Sequence, residues 1–295
     1  MSSTSSPSSG GGQSAMYEQF WRLSFIVFAA ALPLSAAHAI IRQARRRTGG
    51  AHDPAWLVWF RRLANLVIAA GFAALTATII ARWNEAGYPP FSNMPESLMW
   101  MAWGLCAVYF VARCFVDFSG LEAGACVGVL AVLAVSGLFD HAPRPLMPAL
   151  QSNWLIFHVL TCMISYGAFF AAFLMALLWL AFWRRRESGK VVDALSYHTM
   201  AFGFLLLTVG IISGSVWARQ AWGRYWGWDP KETWSLITWF VYGIYLHYRL
   251  LGGSRGPRQE RLPMLNALFA VLGFAVTLFT YFGVSYLLPS LHSYS

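Results

Sequence analysis

Long apolar stretches alternate with short polar segments along almost the whole chain. The hydrocarbon core of a bilayer is about 30 Å thick, and a helix needs roughly 20 apolar residues to cross it. Eight stretches approach that length, which predicts an all-α integral membrane protein with about eight transmembrane helices. Their approximate limits are 18–41, 56–81, 97–116, 121–139, 154–183, 200–217, 231–250 and 264–288.

The composition agrees with a location in the bilayer. Of the 295 residues, 58% are hydrophobic and 11% charged, and the mean hydropathy is +0.51. A soluble domain typically carries about 25% charged residues. Residues 1–15 form a Ser/Gly tract without the basic start of a signal peptide, so we interpret them as a disordered polar tail. Residues 16–295 are then a single polytopic membrane domain.

The four cysteines show no CxxC spacing and lie in or beside predicted spans, which favours a role as small apolar packing residues. The chain also lacks the CxxCH segment through which a c-type cytochrome holds covalent haem. It is therefore not itself such a cytochrome. The cysteines are Cys106, Cys114, Cys126 and Cys162.

The basic residues behind the net charge of +9 are concentrated in alternate loops, which argues against nucleic-acid binding. Cytoplasmic loops of membrane proteins carry an excess of Lys and Arg. Such loops occur here around 42–47, 61–62, 184–190 and 249–261. This pattern predicts that both chain ends lie outside, together with the loops 82–96, 140–153 and 218–230.

The most informative stretch is the tryptophan segment, residues 222–234, within the predicted loop 218–235. Tryptophans also anchor helices at membrane interfaces, but one or two per helix end suffice for that. Here Trp222, Trp226 and Trp228 crowd a short loop, and Gly223 and Gly227 let flat rings approach a ligand closely. The segment therefore predicts an aromatic platform for a flat ligand such as a porphyrin.

Asp229 has a structural interpretation alongside a role in binding. With Pro230 at the first helical position and Glu232 at the third, Asp229 predicts a capping box at the start of the seventh span. Such a cap would fix the tryptophan segment relative to the helix that follows it.

The stretch WGRYWGWDPKETWS at 222–235 resembles the WWD signature of the cytochrome c assembly proteins, and most closely that of the CcsA/ResC-type (System II) members. PALQSNWLIFH at 148–158 and LPSLHSY at 288–294 fit the same members. The resemblance covers at least residues 145–295, whereas the first half matches mainly in hydropathy. It implies that the cofactor-binding residues include Trp222, Gly223, Trp226, Trp228, Asp229 and Trp234.

Histidines supply the predicted ligands of haem iron. His158 lies about 6 Å below the outer start of the fifth span, and His292 follows Pro289 on the same side. The resemblance implies that these two bind the iron of an outer haem from opposite faces. It also implies a second haem at His247, roughly 26 Å beyond Pro230. His38, at a similar depth, is a candidate for the opposing ligand, as is a residue of a partner protein. We interpret His52, His141 and His198 as solvated.

The resemblance implies a function in handling haem b as cargo at the bacterial plasma membrane. The chain would present haem at the outer face for covalent attachment to the CxxCH segment of apocytochrome c, as the haem lyase subunit of a cytochrome c synthase. A CcsB/ResB-like membrane protein and thiol-reducing thioredoxin-like proteins are the expected partners, besides membrane lipid. Haem propionates would pair with Arg224 and Lys231, or with Arg144 and Arg219.

Three alternatives remain at this stage. A CcmC-like protein would deliver haem to a chaperone without joining it to apocytochrome. An electron-transfer haem b subunit would usually take paired histidines from the same two helices, whereas these four belong to four segments. A secondary transporter would show internal repeats, and we find no convincing repeat.

Overall fold

The computed structural model describes residues 10–50, 52–115, 117–118, 120–142, 148–182, 186–252 and 262–288. Each of the eight predicted spans corresponds to one helix, which confirms the all-α class. The helices are α1 (Gly10–Arg47), α2 (Ala55–Ala86), α3 (Met94–Phe115), α4 (Leu121–Ser136), α5 (Asn153–Phe182), α6 (Arg186–Trp222), α7 (Pro230–Gly252) and α8 (Leu262–Leu278). A π-helical segment (Phe279–Gly283) joins α8 to the short α9 (Val284–Leu287), and a 3-10 turn (Pro148–Leu150) precedes α5.

The helices differ from the predicted spans mainly in length. Helix α1 begins at Gly10, inside the Ser/Gly tract, and α6 runs well beyond the predicted 200–217. Six described helical stretches are long and apolar enough to cross a membrane: Met16–Arg47, Ala55–Ala86, Met94–Phe115, Asn153–Leu180, Lys190–Trp222 and Pro263–Leu287. Helix α4 has only 16 residues, and α7, with 23 residues, is long enough but not apolar enough. These two predicted spans therefore do not meet the same criterion.

The start of α1 lies beside the end of α2 and the residues after α4, because Tyr17 and Arg82 both bind His141, and Arg82 also binds Glu96 at the start of α3. The starts of α3, α5 and α7 line one cavity at this end of the bundle. We call this the outer end, after the predicted topology, and the opposite one the inner end. Helix α1 packs on α2 and α4, and α3 packs on α4 and α5. Helix α5 in turn packs on α6 and α8, and α7 packs on α6 and α8. Helix α5 thus joins the first four helices to the last three.

Ion pairs fix the first four helices at both ends, and the arginine of each pair is buried. At the outer end, Arg82 Nε donates to Glu96 Oε1 at 2.8 Å, and both side chains are almost completely buried. At the inner end, Arg42 binds Asp117 through two bonds of 2.9 and 2.8 Å. The hydrogen bond from Arg42 and the nearby charge of Arg61 lower the pKa of Asp117 to about 2. These contacts tie α1 and α2 to α3 and the loop that follows it.

Candidate functional site

A cavity of about 380 Å³ lies at the outer end of the bundle, between α3, α5, α6, α7 and the π-helical segment and α9 that follow α8. Aromatic and aliphatic side chains form most of its wall and polar groups form about a third of it, and its volume lies in the range of about 300–1,000 Å³ usual for small-molecule sites. The lining residues that carry titratable or aromatic groups include His158, Tyr166, Trp217, Trp222, Tyr225, Trp226, Lys231, Glu232, Tyr281 and Tyr286.

His158 is held in the cavity wall by the start of α5. The Ser152 hydroxyl accepts a hydrogen bond from the Trp154 backbone at 3.2 Å, which caps the helix, and donates to Gln220 at 2.7 Å near the end of α6. Helices α5 and α6 approach closely here because Gly214 has no side chain. A Cβ atom at that position would lie 2.5 Å from His158 Nδ1. The glycine therefore makes room for the imidazole.

The hydrogen bonding of His158 fixes the tautomer of its neutral ring. Its Nδ1 lies 2.7 Å from the Gly210 carbonyl oxygen, which can only accept, so Nδ1 carries the hydrogen. The lone pair of the neutral ring is consequently on Nε2. The ring also lies parallel to that of Trp217, with 6.3 Å between centroids and 9° between planes. A neutral imidazole oriented by a carbonyl through Nδ1 is the usual arrangement of a metal-binding histidine.

The tryptophan segment contributes two of its indoles to the cavity. Helix α6 ends at Trp222, where Gly223 takes the left-handed φ of 78° and its N–H bonds the Arg219 carbonyl at 3.1 Å. Trp222 and Trp226 line the cavity. Trp228 also has a left-handed φ, of 57°, and its side chain is 69% exposed. A bulky residue with positive φ is a strained conformation that the surroundings must hold.

Glu232 holds this strained turn, and the predicted capping box is confirmed. Glu232 Oε2 accepts hydrogen bonds from the backbone N–H of Gly227 at 2.7 Å and from that of Asp229 at 3.1 Å, the residues on either side of Trp228. Asp229 Oδ2 accepts from the Lys231 N–H at 3.1 Å and caps α7. Asp229 is buried and does not line the cavity. Its role in the described structure is thus to cap the helix.

Trp234, Gly223 and Trp228 were also predicted to bind the cofactor, and none of them lines the cavity. Trp234 packs on Phe279 of the π segment with 4.3 Å between ring centroids, and neither Trp234 nor Gly223 is part of the cavity wall. The exposed ring of Trp228 meets the ring of Trp226 edge to face, with 5.8 Å between centroids and 90° between planes.

Of the four predicted propionate partners, Lys231 lines the cavity. Its ammonium donates to the Ser285 hydroxyl at 2.9 Å and lies 6.0 Å from the centroid of the Tyr281 ring. Arg219 instead donates to the Gly223 carbonyl, and Arg224 packs against Gly227 with its side chain exposed. Arg144 lies outside the described residues.

His292, the second predicted outer ligand, also lies outside the described residues, which end at Leu288. Tyr286 lines the cavity, so the chain leaves the described part of the structure at the edge of the site. His292 is four positions after Leu288 in the sequence, and an extended chain spans at most about 3.6 Å per residue. His292 is therefore within about 14 Å of Leu288 along the chain.

The two predicted inner histidines belong to different groups of helices. His247 is exposed on α7, which packs on α6 and α8. His38 is 2% exposed on α1, which packs on α2 and α4, and its ring lies 6.3 Å from that of Phe60. No hydrogen-bond partner of His38 Nδ1 occurs among the described residues. The packing does not bring the two histidines together, and their joint role stays a prediction.

His52 and His198 are exposed as predicted, but the prediction for His141 is wrong. Its Nε2 donates to the Ser136 carbonyl at 3.0 Å, and its Nδ1 accepts from Tyr17 OH at 2.5 Å. Its carbonyl also accepts from Arg82 at 2.6 Å. Burial, with a smaller contribution from the charge of Arg82, lowers the pKa of His141. The residue connects helices and is not a solvated loop histidine.

Sequence reasoning missed the part of the wall that precedes and begins α3, from Phe91 to Ser97, and the pair Tyr166 and Tyr281. The two tyrosine rings meet edge to face at 6.2 Å, and the Ser97 hydroxyl contacts Tyr281 OH. The predicted topology could have indicated residues 91–97, because it places the loop 82–96 on the same side of the membrane as the tryptophan segment. Nothing in the local sequence indicates the second.

The fold and the cavity define this chain as a multi-pass helical membrane protein with an aromatic site that contains a histidine. A family model described as cytochrome C assembly protein matches residues 91–292. The chain is 39% identical to the cytochrome c biogenesis protein CcsA of Guillardia theta, over 75% of this chain and 82% of that protein. It is 36% identical to CcsA of Parasynechococcus marenigrum, over 92% of this chain and 93% of that protein.

The chain therefore belongs to the cytochrome c assembly protein family, among its CcsA-type members. This confirms the resemblance carried by the tryptophan segment. Among solved structures, the cytochrome c haem lyase CcmF has the same fold, with a TM-score of 0.63 at 18% identity. The match covers 99% of this chain and 49% of that one, so the chain spans about half the length of CcmF.

Proposed function

We propose that the chain binds haem b as cargo in the outer-end cavity and presents it for covalent attachment to apocytochrome c. In this function it is the haem-handling subunit of a cytochrome c synthase. The observation that carries the proposal is His158, which lines the aromatic cavity and whose Nδ1 hydrogen bond to the Gly210 carbonyl assigns the lone pair of the neutral ring to Nε2. Neutral imidazole nitrogen is a common axial ligand of haem iron.

The other groups of the cavity suit the rest of a haem molecule. The macrocycle is flat and largely apolar, and Trp217, Trp222 and Trp226 offer broad apolar surfaces. We place His292 as the second axial ligand, because the described chain ends beside the cavity four residues before it. Two imidazole ligands would keep the iron six-coordinate until delivery.

The attachment step belongs to the haem and its acceptor. The two thiols of the CxxCH segment add across the two vinyl groups, each sulfur forming a thioether bond and each vinyl group gaining the hydrogen. The histidine of that segment then displaces one of the chain's axial ligands. The chain's own contribution is to bind haem, orient it and keep it accessible from the outer face.

The proposal includes the predicted topology of eight spans in the plasma membrane, with both ends outside. Haem would enter from the cytoplasmic side at His247 and move outward. The exposed position of His247 and the burial of His38 favour an opposing ligand from a CcsB-like partner over one from this chain. Thioredoxin-like proteins would keep the CxxCH thiols reduced.

The test is to purify the chain together with its CcsB-like partner and record the haem spectrum, and to count covalent haem on a reporter cytochrome c. We expect His158→Ala to remove most of both signals and added imidazole to restore part of them, because it can occupy the vacated space. His198→Ala, an exposed histidine on α6, is the matched control and should change neither. Full haem occupancy and maturation in His158→Ala would refute the site.

A further inference from the structure

Helix α2 exposes one apolar face along its inner half, far from the outer-end cavity. The exposed side chains recur every three or four residues, which places them on one side of the helix: they are Trp56, Trp59, Leu63 and Leu66. Because Ala55–Ala86 is long and apolar enough to cross a membrane, this face lies against the hydrophobic region of the bilayer and its border with water.

An exposed arginine interrupts this apolar face. Arg62 follows Trp59 by three residues and precedes Leu66 by four, so it lies on the same side of the helix. It is seven residues beyond Ala55, the first residue of α2, which is about 10 Å along the helix axis. Its guanidinium carbon lies 4.8 Å from the centroid of the Trp59 ring, so the side chain extends back toward the inner end. The charge is thereby held at the level of an indole, and indoles collect at the membrane interface.

The charge of Arg62 is not neutralised as those of the neighbouring arginines are. Arg42 and Arg61 share the carboxylate of Asp117 at 2.8 and 2.5 Å. Arg62 has no ion pair or hydrogen bond within the described part of the chain, where its contact is the ring of Trp59. Its five N–H donors are thus available to an external acceptor. A charged side chain at the edge of a bilayer is stabilised by a partner of opposite charge.

We propose that Arg62 and Trp59 bind the phosphate group of an anionic phospholipid in the leaflet at the inner end of the bundle. A guanidinium binds phosphate through two parallel N–H···O bonds, and the indole fixes its position. The exposed Leu63 and Leu66 lie next to the charge and contact the acyl chains, which favours a lipid over a free phosphate ion. Lipid phosphates occur at this depth all around the protein, whereas a partner helix would have to bring a carboxylate to the same point.

This inference goes beyond haem handling and does not depend on it. Helix α2 lies outside the matched range 91–292, and the lipid site gives it a role of its own. Binding a headgroup at Arg62 anchors the ion-paired helices α1 and α2 at one depth in the membrane.

The experiment measures phospholipid binding to the full chain by native mass spectrometry. Phosphatidylglycerol and phosphatidylcholine with identical acyl chains are titrated separately. The wild type should bind its first phosphatidylglycerol about fivefold more tightly than its first phosphatidylcholine, the effect of roughly one basic residue near a membrane surface. Arg62→Met should bind the two lipids with equal affinity. Arg62→Lys should keep part of the preference, because an ammonium retains the charge without the paired geometry.

Arg22→Met is the matched control, since it removes an exposed arginine that already pairs with Glu18 at 3.0 Å. It should keep the fivefold preference of the wild type. An unchanged preference in Arg62→Met would overturn the proposal. Displacement of phosphatidylglycerol from the wild type by millimolar inorganic phosphate would also overturn it, because the site would then be one for a free ion.

A photoreactive group on an acyl chain of phosphatidylglycerol locates the lipid in the complex of the chain with its partner. We expect the label on the peptide that contains Leu63 and Leu66. Cross-links from this face to the partner protein, in place of the lipid label, would overturn the proposal in favour of a protein interface. Arg62→Met should keep the His158-dependent haem spectrum, so the outcome for the lipid site is separate from that for the proposed function.

Discussion

The helices before the loop 137–152 and those after it use buried polar groups in different ways. In α1–α4 and the loop that follows α3, buried charged side chains pair with other charges, as Arg82 does with the buried Glu96 and Arg42 with the exposed Asp117. At the outer end of α5–α9, polar groups such as His158 and Lys231 instead face a cavity. The first arrangement holds helices together, and the second makes chemical groups available to a ligand.

The family similarity divides the chain earlier, between α2 and α3. The family model begins at residue 91, and Phe91 is the first of the described residues that line the cavity. All described lining residues lie between Phe91 and Tyr286, within the matched range 91–292. Helices α1 and α2 lie outside it. The family signature therefore follows the site, whereas the ion-paired helices α1 and α2 form a support for it.

The largest effect that would test this comparison is expected at Arg82. Arg82→Met leaves Glu96 buried without its main partner, which typically costs about 3–5 kcal/mol. We expect a large drop in the thermal unfolding midpoint of the detergent-solubilised protein, while the fraction that remains folded keeps its His158-dependent haem spectrum. Arg22→Met removes an ion pair with Glu18 whose side chains are 70% and 59% exposed, and should cost less than about 1 kcal/mol. Similar losses in both variants would contradict the support role.

The next effect is expected at Gly214, in the cavity half. A Cβ atom there would lie 2.5 Å from His158 Nδ1, so Gly214→Ala must displace the imidazole and strain its bond to Gly210. Overpacking of this kind costs about 1–3 kcal/mol. We expect weaker haem binding and a shifted haem spectrum, with a smaller loss of fold stability than in Arg82→Met.

Gly124→Ala is the matched control for that helix substitution. A Cβ atom at Gly124 would meet only Leu178 Cδ1, at 3.8 Å, which is an ordinary contact. Haem affinity and spectrum should remain those of the wild type. An unchanged haem spectrum in Gly214→Ala would show that the position of the His158 ring does not determine binding.

A third effect concerns Glu232, which holds the strained turn at Trp228. Glu232→Ala removes the acceptor for two backbone N–H groups and should destabilise the turn by about 0.5–2 kcal/mol, the range for a lost cap. Hydrogen exchange of the Gly227 and Asp229 amides should accelerate by up to about thirtyfold. Thr233→Ala changes the next residue, whose hydroxyl reaches the Trp228 carbonyl only at 3.5 Å, and should leave these amides protected. Protected amides in Glu232→Ala would mean that another group holds the turn.

The helices could be predicted from the sequence because the length of an apolar run is a strong signal in a membrane protein. The capping box at Asp229 was predictable for a similar reason, since its contacts lie within one turn. The directions in which the indole side chains point could not be predicted from the sequence. Trp228 has a left-handed φ of 57° and turns away from the cavity, and its direction depends on a backbone conformation that no local propensity favours.

The tertiary part of the site could not be read from the sequence at all. Tyr166 and Tyr281 meet in the wall only because α5 packs on α8, and the volume at His158 depends on the contact between α5 and α6. For His141 the sequence led to a prediction, but a wrong one. A polar residue in a loop suggests solvent exposure, yet its partners Tyr17 and Arg82 come from α1 and α2.

That error leads to the smallest predicted effect, which lies in the ion-paired half. Because burial lowers the pKa of His141 in the fold, the unfolded chain takes up a proton first as the pH drops below about 6.5. Protonation therefore favours unfolding, and the fold loses at most about 0.7 kcal/mol between pH 7 and pH 6. In His141→Gln this part of the pH dependence of the unfolding midpoint should disappear, and in the exposed control His198→Gln it should persist. An identical pH profile in both variants would place the proton uptake at another group and leave His141 with only its role in joining α1, α2 and the end of α4.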